Sequence, residues 1–257
     1  MALQDPREDL GVQAVVSLVN DRLPPEAFGA LVRRVFDRSV QSARTNRVSV
    51  EQLEKSAKTA IGTEVEIDVR EALGVPKGKL DLVVDGHDAD VKWSLGSAAK
   101  GCGTSWMIPR EALGEVCLLV SGWDTHEGSF FTVGVFRASQ TGEGLNAKNQ
   151  DGKRSIARAT LTSYVWWLHN AVPMESNFLL RLPEESRSAV LAAAPGEARL
   201  LEALRAAGDE GIAMSVLREL DVPEPQHRFN KLAESLMADG RRLVARNGAW
   251  FVEGRFT

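Results

Sequence analysis

One segment limits the possible folds more than any other: "DLVVDGHDADVKWS", residues 81–94. A run of β-branched residues is interrupted at Gly86 and resumes as Asp90-Val91-Lys92. The pattern predicts two strands joined by a turn around Gly86. Charged side chains are costly at strand positions unless paired, solvated or ligated to a metal. Strand side chains alternate, so Asp90 and Lys92 point to one face and Val91 to the other. Asp81, nine residues before Asp90, starts the preceding strand, where a hairpin would set it beside Asp90. Glu66, on the helix expected upstream, is a fourth candidate. Acids converging with a lysine suit Mg²⁺, a hard cation that prefers oxygen ligands. Such an ion polarises a phosphate and lowers the pKa of an attacking water, while the lysine orients that water or neutralises charge. On spacing alone, the same run also fits a solvated strand edge with a lysine guarding against aggregation. Asp85 and Asp88 read as turn formers beside Gly86, and His87 as a turn residue.

The flanking sequence predicts the frame. "PPEAFGALVRRVFDRSVQ" carries Phe28, Leu31, Val32, Val35 and Phe36 at helical spacing. A long helix is expected from a Ser49 N-cap, with Gln52 completing a capping box and Gly74 ending it. "EVCLLVSGW" and "SFFTVGVFRA" read as strands, "ATLTSYVWWLHNAV" as an amphipathic helix carrying Trp166 and Trp167, and "NFLLRLP" as a last short strand. A helix is expected from Pro183 to Ala194. This order implies an α/β (α+β) fold around a mixed sheet. Pro195-Gly196 marks a boundary, giving domains 1–194 and 195–257. Beyond it, helices at Glu197–Ala207, Ala213–Leu220 and Gln226–Asp239 precede two strands joined by Asn247-Gly248, the pattern of a winged helix.

Composition excludes little. The chain of 257 residues has a net charge of −4, so total charge does not announce a polyanion partner. No stretch approaches the roughly 20 apolar residues of a membrane span, and "VQAVVSLV" is too short and too acidic at its flanks for a signal peptide. Cys102 and Cys117 lack metal or disulfide spacing, so a reducing, cytoplasmic setting is the simplest reading.

"LEKSAKTAIGTEVEIDVREALG", "LDLVVDGHDADVKWS", "SWMIPREALGEVCLLV" and "NFLLRLP" together resemble the endonuclease domain of the NaeI-type restriction enzymes. These are nucleases whose core motif is an acid, then an acid, any residue and lysine. The resemblance runs in order over roughly residues 30 to 185 and includes Gly-Thr-x-Val-Glu-Ile at 62–67 and Trp-Met-x-Pro at 106–109. It implies Asp81 and Asp90 as metal-binding acids, Lys92 as the catalytic lysine, Glu66 as the helical glutamate and Val91 as a carbonyl ligand to metal. It also implies a Mg²⁺-dependent homodimer that cuts double-stranded DNA, with no membrane partner. A member of the family needs a second DNA copy, bound by a C-terminal domain of winged-helix character. The loop "GSAAKGCGTS" is longer than that pattern, and no residue-level match is evident in the shorter C-terminal region.

For DNA contact, the polar loop after Arg137 offers Asn146, Lys148, Asn149, Lys153 and Arg154. "SARTNR" offers Arg44 and Arg47. In the C-terminal region a buried stripe of Phe229, Leu232, Ala233, Leu236 and Met237 would turn His227, Arg228, Asn230 and Lys231 outward, with Arg241 and Arg242 at the wing. A solvated loop and a protein-packing domain are the competing readings of these two regions. Trp166 and Trp167 read as core or dimer-interface residues. Three other functions share the motif: a nuclease sensing a methylated base, a junction-resolving nuclease, and a catalytically silent DNA-binding regulator.

Overall fold

The computed structural model describes residues 3–97, 103, 105–125, 127–208, 211–220, 225–238, 242–246 and 249–253. The chain forms two compact units, one of residues 1–36 with 53–176 and the other of residues 37–52 with 177–257. No helix among the described residues is long and apolar enough to cross a membrane.

Helix α1 (Leu10–Arg22) is capped by Asp9, whose side chain accepts from the Val12 N–H at 3.0 Å. It buries Val12, Val15, Val16 and Val19. Helix α2 (Pro25–Val40) buries the expected stripe of Phe28, Leu31, Val32, Val35 and Phe36 completely. The short α3 (Ser42–Thr45) follows.

The capping box forms, but not where a long helix begins. Gln52 Oε1 accepts from the N–H of Ser49, and Ser49 Oγ from that of Glu51, around a single 3₁₀ turn at Val50–Gln52. Helix α4 (Lys55–Leu73) starts afresh after Glu54 and ends at Gly74, whose φ of 64° only glycine adopts freely.

Strands β1 (Leu82–Val84) and β2 (His87–Leu95) form the expected hairpin. Asp85 (φ 48°) and Gly86 (φ 81°) supply the two positive φ angles of a type I′ turn. His87 and Asp88 are not turn residues; they pair with Val84 and Val83 inside the ladder. The Asp88 carboxylate accepts from the backbone N–H groups of Lys79 and Leu80, at 2.9 and 3.3 Å, and so ties down the approach to β1. The two-residue β3 (Met107–Ile108) leads into β4 (Val116–Thr125) and β5 (Gly128–Arg137).

The main sheet has the order β1-β2-β4-β5-β8 and is mixed, since β2 and β4 run parallel and the other pairs antiparallel. This is the α/β fold expected. Strand β4 lies at its centre and is buried at every position but the last, which explains its unbroken apolar run. One face covers a cluster that includes Trp106, Cys117, Leu119, Phe136 and Val165. Strands β6 (Leu145–Lys148) and β7 (Arg154–Ile156) form a hairpin that joins β3 in a second small sheet.

The segment 158–174 corrects an expectation. It is a six-residue helix, α5 (Arg158–Ser163), followed by strand β8 (Trp166–Met174), not one amphipathic helix. Pairing with β5 decides the matter. Gly134 of β5 leaves room for the Trp167 ring, which a Cβ there would meet at 2.6 Å. Trp167 packs against Trp106 at 6.0 Å between ring centres and donates from its indole N–H to the Leu161 carbonyl.

In the second unit, "NFLLRLP" is likewise helical. Asn177 caps α6 (Phe178–Arg181) by accepting from the N–H groups of Leu179 and Leu180, which a strand would not need. Then come α7 (Glu184–Ala192), α8 (Glu197–Ala207), β9 (Ile212–Ala213), α9 (Met214–Glu219), α10 (Pro225–Ala238), β10 (Arg242–Arg246) and β11 (Ala249–Glu253). The three strands make a sheet of order β10-β11-β9. Phe229 stacks on Trp250 at 4.3 Å, and Leu232 and Leu236 fill the core beside it. Met237 is 69% exposed instead of buried, because it lies about 100° round the helix from Leu236. The expected Asn247-Gly248 turn, Arg241 and Cys102 lie outside the described residues.

Candidate active site

β1 pairs only with His87, Asp88 and Ala89, so from Asp90 onward β2 has no strand on that side among the described residues. Asp81 sits where the ladder stops. Its N–H donates to the Ala89 carbonyl at 3.2 Å, and its carboxylate accepts from the Val91 N–H at 2.8 Å. In an extended strand the N–H and C=O of one residue point the same way, so the Val91 carbonyl faces the same open edge as Asp81.

Asp90 is buried and in register with Cys117 of β4. Its Oδ2 accepts no well-directed hydrogen bond, and the Lys92 ammonium lies 2.7 Å from it. Burial, together with the neighbouring Asp90 carboxylate, pushes the Asp81 pKa above the ordinary aspartate value. Burial also pushes the Cys117 thiol far up, and the Asp90 charge adds to this, so that thiol is inert. Two crowded carboxylates and a buried oxygen without a directed donor fit a hard divalent cation. A cation placed there would meet Asp81, Asp90 and the Val91 carbonyl.

These groups border an open cleft of about 630 Å³, lined by Asp81, Val91 and Lys92 on one side and by α4 on the other. Glu66 reaches the same cleft from α4, but its Oε1 faces Arg70 at 3.2 Å and Lys77 at 3.7 Å. It does not converge with the two aspartates: among the described residues no three acidic, histidine or cysteine side chains are grouped to hold a metal. The same Arg70 nitrogen also approaches the Asp81 carbonyl at 3.4 Å, so one guanidinium joins the helical acid to the start of β1.

The remaining candidates fall into two groups. Lys153 lines the cleft, at the tip of the β6–β7 hairpin. That tip is closed by Asn149, whose side chain accepts from the Lys153 N–H at 2.9 Å, and Asn146 donates to Ser155 Oγ. Lys148 is exposed and Arg154 partly buried. Arg44, exposed, and Arg47, partly buried, belong to the other unit. So do His227, Asn230, Lys231 and Arg242, all exposed, and Arg228, which is partly buried.

Sequence reasoning missed Lys55 and Lys58, which line the cleft with Thr59, Gly62, Thr63 and Glu66. The signal was available. Those positions fall at i, i+3, i+4, i+7, i+8 and i+11, a single stripe of one helix.

With this geometry in view, comparison with known proteins is decisive: the family profile described as "Restriction endonuclease NaeI" matches residues 15–249. The chain belongs to the NaeI restriction endonuclease family. The Type II restriction enzyme NaeI of Lentzea aerocolonigenes is 27% identical over 182 residues, which cover 68% of this chain and 54% of that protein. The chain thus spans about half the length of this relative. The profile match also continues into the C-terminal region, where the sequence by itself offered no residue-level likeness.

Proposed function

We propose that the chain is a type II restriction endonuclease that hydrolyses phosphodiester bonds in double-stranded DNA with Mg²⁺. The observation that carries this reading is the meeting of Asp81 and Lys92, which line a cleft, with the buried Asp90 carboxylate beside both. The relative named as a type II restriction enzyme supports it.

When bound, Mg²⁺ would supply Lewis-acid stabilisation of the phosphate and a more acidic bound water. The Asp81 and Asp90 carboxylates and the Val91 carbonyl would hold the ion. Lys92 would orient the attacking water and offset charge developing on the phosphoryl oxygens. One P–O bond forms to water, the P–O bond to the leaving sugar oxygen breaks, and a proton ends on that oxygen. Glu66, released from Arg70 and Lys77, would complete the set of acids.

In this reading the enzyme is a cytoplasmic homodimer, so that two sites cut the two strands. The order of α8, β9, α9, α10, β10 and β11 supports a winged helix over residues 195–257. Its exposed His227, Asn230, Lys231 and Arg242, with Arg228 and Arg241, would meet DNA. Asn146, Lys148, Asn149, Lys153 and Arg154 would meet it beside the cleft, and Arg44 and Arg47 would add backbone contacts.

The test is incubation of the purified protein with plasmid and Mg²⁺, beside Asp90→Ala and Lys92→Ala. Discrete fragments from the parent and intact plasmid from both variants are expected. Fragments from Asp90→Ala would remove this site from the reaction.

A further inference from the structure

We infer that Lys55 and Lys58 of α4 form a phosphate rail that holds the DNA backbone along the cleft, with Lys153 facing the same space from the β6–β7 hairpin. The inference rests on the nuclease reading above and adds the residues that bind the backbone without reading its sequence.

Lysines outnumber acids along the cleft. Of the described side chains lining it, Glu66 and Asp81 are acidic, whereas Lys55, Lys58, Lys92 and Lys153 are basic. Lys92 is committed to Asp90. Lys55 and Lys153 are exposed, and neither is paired with an acid among the described residues. Other cations of this unit are used internally: Arg33 pairs with Asp124 at 2.8 Å, Arg70 with Glu66, and Arg137 with Asp9. Lys55 and Lys153 thus face the open space of the cleft that carries the candidate catalytic groups.

The helical stripe sets the spacing. Lys55 and Lys58 lie one turn apart, about 5 Å along the axis, near the start of α4. Glu66 lies two turns further along the same stripe. A strand laid along α4 would then run from the lysines toward the acids, its phosphates near the lysines flanking the one under attack. Lysine binds phosphate as a point charge on a flexible stem and carries no base information. The contact should therefore be the same on every sequence. The ligand class is the phosphodiester backbone of duplex DNA.

The test is the salt dependence of binding to a labelled mixed-sequence duplex, measured in EDTA and again in Ca²⁺. Each phosphate neutralised contributes about 0.9 to the slope of log K against log salt. Lys55→Ala/Lys58→Ala should lower the magnitude of that slope by roughly two and weaken binding equally on duplexes of unrelated sequence. Lys55→Arg/Lys58→Arg should restore it. Lys79→Ala removes one exposed charge away from the cleft and should leave the slope unchanged. A double variant with the parent's slope, or with loss confined to one duplex sequence, overturns the rail. A parent with no affinity for duplex in either buffer overturns the nuclease reading itself, so the two failures are distinct.

Discussion

The Asp81 carboxylate accepts a hydrogen bond from the backbone N–H of Val91 at 2.8 Å, across ten residues of chain. One side chain thus closes the end of a short ladder and carries charge to the edge where that ladder stops. The two roles can be separated. Asp81→Asn keeps an acceptor for Val91 but loses the charge, whereas Asp81→Ala loses both. Asp81→Asn should unfold within about 1 kcal/mol of the parent, and Asp81→Ala should lose about 1–3 kcal/mol, the cost of a part-buried N–H without a partner. Neither should cut DNA. Urea denaturation beside a plasmid assay checks this, and a Asp81→Asn that cuts normally would remove the charge from the mechanism.

Lys92 and Asp90 make a second separable pair. Removing Lys92 leaves the buried Asp90 carboxylate without its counter-ion, at a cost of about 1–3 kcal/mol in EDTA, given that Lys92 is partly solvated. A divalent cation bound to the aspartates would replace that charge. The melting temperature of Lys92→Met should therefore rise more than the parent's on adding Mg²⁺, because a ligand that binds only the folded state stabilises it. Equal shifts for both proteins would contradict a shared site.

In the second unit, Asn177 is buried, caps α6 through two N–H groups and donates to Asp37 at 2.9 Å. Asn177→Ala should cost about 2 kcal/mol by loss of the cap and of a buried hydrogen bond. Asn177→Ser should recover part of the cap, since a serine hydroxyl also accepts from the first-turn N–H groups. Denaturation of all three proteins tests this, and a neutral alanine variant would refute it.

His169 sets a pH limit. It is buried with Phe28 and Phe131 edge-on to its ring, and burial pushes its pKa below the ordinary 6.5. The folded state therefore favours the neutral ring. The associated stability is fully present above the unfolded value of 6.5 and is lost as pH falls through the lowered folded value. A fall in melting temperature below about pH 6.5 should be smaller in His169→Gln than in the parent. The same fall in both proteins would exclude this histidine as its source.

The readable parts of the sequence were those governed by local chemistry. Asp85-Gly86 specifies its hairpin because few other pairs adopt two positive φ angles, and Gly74 ends α4 for the same reason. The stripe from Phe28 to Phe36 needed only the helical period. Trp166–Met174 was misread because its neighbour decides its conformation: the space above Gly134 admits Trp167 only when β8 lies beside β5. Glu66 was placed on the right helix, but its attachment to Arg70 and Lys77 depends on how α4 meets the segment before β1. The Asp81–Val91 hydrogen bond was not legible: His87 and Asp88 read as turn residues, and the register is set only once both sit in the ladder. The lysines of α4 were overlooked because no apolar pattern drew attention to that face.

The most direct test is anomalous scattering from a crystal soaked in Mn²⁺, an oxygen-preferring surrogate for Mg²⁺. The account predicts a peak roughly 2–2.4 Å from oxygens of Asp81 and Asp90 and from the Val91 carbonyl, absent in Asp90→Ala. A peak elsewhere, or one that persists in Asp90→Ala, would contradict it.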